Sequence, residues 1–313
     1  MLDDFLSAID LPKSRIVNHP RYIFLCGGPV PSNTPTAAPP SLRYSLIQRI
    51  ASHHPDLSTN IVLAETLFNK VDPFKNEDYR DLLTFERYIA SFCSAIVIIL
   101  ESSGAIAEFG SFILLDDVVD KLYAVIDSSH YTCSSFIRRG PIEYLQQRQE
   151  KQVISHNWLT AKGIRPSVPK FRLFAPDLID ELADIHRSDQ SSHKVDLSSR
   201  AHHMLLLASL LRVAQPLRLG EIEQCMHAIS QTINRQEVRR YLSMLQILGL
   251  VQKHRHGHID YYASIKNLDF VEWRFQPDEP RNQIVRWIID FRTFFTKTDK
   301  TRMTALRNWP KSG

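Results

Sequence analysis

The stretch AIVIILESSGAIAEFGSFILL, residues 95–115, decides the fold class. Its opening, Ala95 to Leu100, is short, rich in β-branched residues and free of polar alternation, which is the pattern of a strand covered on both faces of a parallel sheet. ESSG follows directly, and then a helical segment carries Glu108 on its first turns. In an open α/β sheet the ligand crevice lies just past the carboxyl ends of the strands. Glu101, Ser102, Ser103 and Glu108 are therefore expected around a site, with Glu108 the first candidate for chemistry.

Working outward, further strands are expected at Tyr22 to Cys26, Asn60 to Leu63 and Leu122 to Ile126, with helical spacing at Leu42 to Ala51 and Leu82 to Phe92 between them. Strands separated by helices make βαβ units, so the N-terminal part is expected to form a doubly wound, mostly parallel α/β sheet within residues 1–150. GGPVPSNTPTAAPPS, residues 27–41, excludes regular structure and is either a flap over the site or a disordered insertion. Gly27 and Gly28 after the first strand either let backbone N–H groups approach a ligand or make a simple tight turn.

Residues 151–199 are polar, with a basic, proline-marked piece at Lys162 to Arg172 and SDQSSHKVDLSS at 188–199, and are expected to connect two domains. From Arg200 to residue 313 a second, smaller domain is expected. Helical segments at Ala201 to Val213, Leu219 to Ile229 and Arg235 to Leu248 precede strands at Leu250 to Lys253 and Ile259 to Ala263, bracketing HRHGH. Helix, helix, helix, hairpin is the order of a winged helix-turn-helix with a helical tail. Arg235, Arg239 and Arg240 on the third helix, with Lys253 and Arg255 at the wing, are candidates for nucleic-acid contact. The alternative is a solvated helix face and an ordinary hairpin tip. Trp273, Trp287 and Trp309, spread among Phe291, Phe294 and Phe295, fit packing of a terminal helix better than base stacking. Arg138 and Arg139, before Gly140 and Pro141, are either a phosphate contact or a plain surface turn.

The chain of 313 residues, 43% hydrophobic, has material for two domains of ordinary size. No apolar run reaches the roughly 20 residues that a spanning helix needs. The acidic start MLDDFLSAIDL differs from a signal peptide, so no membrane partner and a cytoplasmic location are expected. Cys26, Cys93, Cys133 and Cys225 show no metal-ligand or disulfide spacing, and each is expected as a buried apolar residue; neither a metal nor a cofactor is expected. Residues 201–313 hold 17 Lys and Arg against 10 Asp and Glu, a net +7, while residues 1–200 carry a net −3. That asymmetry suggests an anionic partner for the C-terminal part alone.

Glu108 lies among Ala107, Phe109, Gly110 and Phe112, where burying a carboxylate is costly without a purpose, although a first-turn glutamate also suits a helix dipole. Such a glutamate can attack an anomeric carbon or activate water for hydrolysis. The strand with ESSGAIAEFGSF resembles the active-site segment of the nucleoside deoxyribosyltransferase family, and YIFLCGG is similar to that family's first strand and glycine turn. More narrowly, IFLCGG, VLAETLF, IVIILESSGAIAEFGSF and FIRRGPIEYL, followed by a winged helix, resemble the transferase-like effectors of bacterial retrons.

The resemblance implies a flavodoxin-like sheet and a toxin-like N-glycosidase of antiphage defence, acting on a nucleotide, a nucleoside or NAD. It also implies restraint by a complex of reverse transcriptase and multicopy single-stranded DNA (msDNA), together with oligomeric assembly. By the same resemblance Glu108 is the nucleophile, and Gly27, Gly28, Glu101, Ser102, Ser103 and Gly104 line the nucleotide pocket. Glu65 touches a ribose hydroxyl or the base. The family has an aspartate shortly before the nucleophile where this chain has Ser102 and Ser103, with Glu101 one position further back, so hydrolysis of a nucleotide or of NAD fits at least as well as base transfer. The competing expectation is a winged-helix DNA-binding regulator that senses a nucleotide without cleaving it.

Overall fold

The computed structural model describes residues 1–31, 41–70, 78–129, 134–159, 168–188, 192–265 and 267–309. Cys133, most of the proline-rich loop and part of the basic piece at 162–172 lie outside the described residues. The chain divides into two compact units, one built from residues 20–68 and 86–190, the other from residues 1–19, 69–85 and 191–313. Among the described residues no helix is long and apolar enough to cross a membrane.

The first of these units is a mixed α/β structure with one five-stranded parallel sheet. Its strands, numbered within the unit, are β1 (Ile23–Cys26), β2 (Ile61–Val62), β3 (Ala95–Ile99), β4 (Leu122–Asp127) and β5 (Val153–His156). Their spatial order is β2-β1-β3-β4-β5, and every neighbouring pair is parallel. From β1 the chain passes first to one side and then to the other, which is compatible with a doubly wound α/β fold whose crossover point lies between β1 and β3.

Both faces of the sheet are covered, which is why β1 and β3 are apolar without alternation. On one face Ile23, Leu25, Val97 and Ile99 pack against Leu42, Leu46 and Ile50 of the helix Leu42–His53 and against Leu178 and Leu182 of the helix Val168–Ser188. On the other face Phe24 meets Phe112 of the helix Ser103–Phe112, with ring centroids 6.1 Å apart. Each fully buried leucine or isoleucine contributes roughly 1.5–3 kcal/mol.

The segment expected to be a connector differs from that reading. Residues 153–156 form the edge strand β5, and Phe171, Phe174, Ala175, Leu178, Ile179 and Leu182, at helical spacing, bury one face of the helix Val168–Ser188 in the core. The boundary drawn near residue 150 fails because this periodicity runs through a stretch that is polar on average.

The other unit gathers both ends of the chain. Arg15–Ile16 is the central strand of a small antiparallel sheet, flanked by Val271–Glu272 and His193–Lys194. Phe5 of the helix Leu2–Ala8 is fully buried against Trp273, Trp287 and Phe291, with ring centroids 5.7, 5.2 and 5.8 Å away. The tryptophans Trp273 and Trp287 are thus core residues. Three helices, Arg200–Ala214, Leu219–Ile229 and Arg235–Ile247, are followed by a hairpin of Val251–His256 and Ile259–Ser264, which Leu217–Arg218 extends to three strands. Gly249, at φ +68°, ends the third helix: its N–H reaches Gln246 O and the Leu250 N–H reaches Leu245 O. The hairpin turns at Gly257, at φ +63°, so Lys253 and Arg255 lie along a strand and not at the tip.

Candidate active site

The site is assembled at the carboxyl ends of β1 and β3. Glu101, just past β3, turns its carboxylate to the opposite loop: Oε1 accepts the N–H groups of Gly28 and Arg43, both at 2.9 Å, and Oε2 accepts that of Leu42 at 2.6 Å. The Leu42 and Arg43 amides open the helix Leu42–His53 and the Gly28 amide lies in the turn, so Glu101 fastens the glycine turn and the helix N-terminus to β3. Burial pushes its carboxyl above the usual range, against the pull of the three N–H donors. Gly28 is needed for this approach, because a Cβ there would stand 2.7 Å from Ser41 Cβ and 2.9 Å from Glu101 Cδ. Ser41 and Ser102 cap the two helices, accepting the amides of Tyr44 and Ala105.

Behind the turn lies Arg43, a buried arginine on the first turn of its helix, where the dipole disfavours a cation. Its Nε donates to Gly28 O at 2.7 Å and its Nη1 to Leu25 O at 3.2 Å, while Nη2 forms an ion pair with Glu65. Glu108, half-buried, belongs to the same cluster. Burial raises its carboxyl above the ordinary range, the Glu65 charge adds to this, and the Arg43 guanidinium and a hydrogen bond from Cys26 oppose it. Glu108 Oε2 is buried and has no hydrogen-bond partner among the described residues.

Glu86 completes the group. Burial, then the charges of Glu108 and Glu65, push its carboxyl up to about 7. Burial and the nearby Glu108 hold the Cys26 thiol well above its usual range, so it stays a protonated donor. The arrangement is a set of carboxyls with separated proton affinities around one fixed cation, which can supply both a nucleophile and an acid.

Of the expected site residues, the structure brings Glu108 and Glu65 together around Arg43. Gly27, Gly28 and Glu101 shape the turn beside them, with the Glu101 oxygens taken up by backbone amides. Ser102 spends its hydroxyl on the helix cap, while Ser103 and Gly104 are exposed on the first turn. The sequence reading missed Arg43, Glu86 and Cys26. Two signals were present: a cation at a helix N-terminus, and a glutamate one residue after the buried Phe85 and three before the buried Ile89. A separate cleft of about 510 Å³ lies farther along the Glu108 helix, where Gly110, Leu114, Phe136 and Arg139 line it. Arg138 is paired with Glu143 at 2.6 Å. Among the described residues no group of three or more His, Cys, Asp or Glu side chains is placed to hold a metal ion.

In the other unit the five basic candidates separate into two kinds. Arg235 pairs with Glu223 at 3.0 Å, Arg240 with Glu237 at 3.1 Å and with Asp78 O at 3.1 Å, and Lys253 with Asp260 at 2.9 Å. Arg239 and Arg255 make no ion pair among the described residues. Arg239 Nε is buried without a hydrogen-bond partner, and Arg255 is exposed on its strand.

Fold and site together define a two-unit protein whose α/β unit carries a carboxylate cluster at the crossover point of a parallel sheet. The chain belongs to the STM3845 retron effector family, which matches residues 39–253. It is 26% identical over 299 residues to an Escherichia coli protein of retron Ec73 named as a candidate ribosyltransferase/DNA-binding protein, covering 93% of this chain and 90% of that one. A second E. coli protein, of retron Ec86 and with the same description, is 30% identical over 132 residues, covering 42% of this chain and 39% of its own.

Proposed function

We propose that this chain is a retron defence effector that breaks the N-glycosidic bond of a nucleotide, a nucleoside or NAD with Glu108 as nucleophile. The observation that carries the reading is the buried, unpartnered Glu108 Oε2 at the strand ends, in one cluster with a Glu86 carboxyl raised to about 7. One Glu108 oxygen attacks C1′ of the sugar as the bond from C1′ to the base nitrogen breaks and its electron pair leaves with the base. Glu86 gives its proton to a neutral base as it departs. Nicotinamide leaves NAD from an already cationic nitrogen and needs no proton. Water then attacks C1′, gives up a proton to the ionised carboxylate, and frees Glu108 and the sugar. Gly27, Gly28, Ser103 and Gly104 border the substrate in this reading.

The helices and hairpin of the basic unit act as a winged helix that contacts the retron's msDNA or its reverse transcriptase, restraining the effector as part of an oligomeric complex. The names of the two retron relatives and the net +7 of residues 201–313 support this. The test incubates the released protein with NAD, nucleosides and deoxynucleotides and follows nicotinamide or base release for the native chain and Glu108→Gln. Release lost in Glu108→Gln is expected. Equal release from both, or binding of nucleotides with no release from either, assigns the unit to nucleotide sensing instead.

A further inference from the structure

Among the described residues the cluster contains one cation, Arg43, and each of its three guanidinium nitrogens is engaged by a different element. Arg43 Nε is held by Gly28 O, Nη1 by Leu25 O of β1, and Nη2 by Glu65 on the helix Ala64–Lys70. Its own backbone N–H is held by Glu101 beyond β3. A Cβ on Gly27 would stand 3.0 Å from Arg43 Cβ, so the side chain is also confined sterically. Three of its five N–H donors are thus tied to the scaffold, which fixes where the guanidinium lies. What it offers is a fixed positive charge beside Glu108.

We propose that Arg43 is a positioning residue, which keeps the Glu108 carboxylate charged and therefore nucleophilic while Glu65 sets how much of the arginine's field Glu108 feels. The proposal rests on the glycosidic reading of Glu108. Among the described residues the groups acting on Glu108 are Cys26 from β1, Arg43 from the helix Leu42–His53, Glu65 from the helix Ala64–Lys70 and Glu86 from the helix Leu82–Phe92. Arg43 is the only cation among them, and its effect on Glu108 is the largest of those opposing burial.

The experiment is a pH titration of the full chain carrying carbon-13 at the glutamate carboxyl carbon, the Glu108 signal being identified by its loss in Glu108→Gln. Arg43→Met and Arg43→Gln are each expected to raise the Glu108 midpoint by about one pH unit, a tenfold fall in its ionisation constant. Arg43→Gln retains donors for the carbonyls without the charge, and so separates field from packing. Arg43→Lys, which keeps the charge, is expected to leave the midpoint within about half a unit of native, and Glu65→Gln to lower it. An unchanged Glu108 midpoint in folded Arg43→Gln, or a raised one in Glu65→Gln, overturns the proposal. The two readings fail separately: full base release by Glu108→Gln removes the glycosidic function, whereas the carboxyl midpoints judge Arg43 whether or not any substrate is turned over.

Discussion

Glu101 Oε1 accepts the Gly28 N–H across the mouth of the sheet at 2.9 Å, tying the carboxyl end of β3 to the glycine turn after β1. A carboxylate used this way is a strut for the site. Glu101→Ala leaves two amides at a helix start and one in the glycine turn without their acceptor, and is expected to cost about 3 kcal/mol. Gly28→Ala, forced against Ser41 and Glu101, is expected to cost about 2 kcal/mol. Denaturant unfolding of the ligand-free protein measures both. Native stability in Glu101→Ala would return this residue to the role of a substrate contact.

The parallel sheet was legible because β1 and β3 carry the uninterrupted apolar runs of doubly covered strands, and because a helical segment with Glu108 follows β3 directly. The sequence hid the partners of Glu108. Arg43, Glu86 and Cys26 lie on three separate elements, and only the crossover at β1 and β3 brings them together. The N-terminal strand Arg15–Ile16 was invisible for a similar reason, since two residues make no pattern and their pairing partners are some 180 and 260 residues away.

Glu86 gives the reaction a pH signature. With its carboxyl raised to about 7, the protonated form needed to donate to a neutral base declines as pH rises through that value. Base release from a nucleoside is therefore expected to fall on the alkaline side of 7. Glu86→Gln is expected to lose about 10²-fold in rate together with that alkaline limb. Nicotinamide departure from NAD needs no donated proton, so its first-turnover burst is expected to keep its rate in Glu86→Gln and to show no such limb. For stability the sign is the same: a carboxyl raised from 4.5 to about 7 in the folded state contributes in full below 4.5, and that contribution is lost as pH rises through 7. Rates followed from pH 5 to 9 on both substrate types check the assignment, and an alkaline limb that persists in Glu86→Gln removes Glu86 as the acid.

Phe5 is fully buried in an aromatic cluster whose other members come from the last 45 residues of the chain. The N-terminal helix therefore completes the core of the basic unit. Phe5→Ala is expected to destabilise that unit by about 3–5 kcal/mol, and removal of residues 1–19 by more, since the central strand Arg15–Ile16 goes with them. Fluorescence of the buried Trp273 and Trp287 during denaturant unfolding reports the change. Wild-type unfolding of Phe5→Ala would show that the cluster reforms without it.

Ion pairing inside the basic unit ranks its arginines as nucleic-acid contacts. Arg235 and Lys253 already have carboxylate partners, so a phosphate gains them only by displacing Glu223 or Asp260. Arg239 and Arg255 have no such competitor. If msDNA is bound on this face, replacing Arg239 and Arg255 together by Ala is expected to reduce the slope of log affinity against log salt by about 1.4–1.8, since each phosphate contact contributes roughly 0.7–0.9. Replacing Arg235 and Lys253 together is expected to reduce it by less than 1. Titration of a fluorescent single-stranded DNA between 50 and about 200 mM salt gives both slopes. Equal reductions from the two pairs would mean that the internal ion pairs open on binding, and that net charge, and not the pairing pattern, governs the contact.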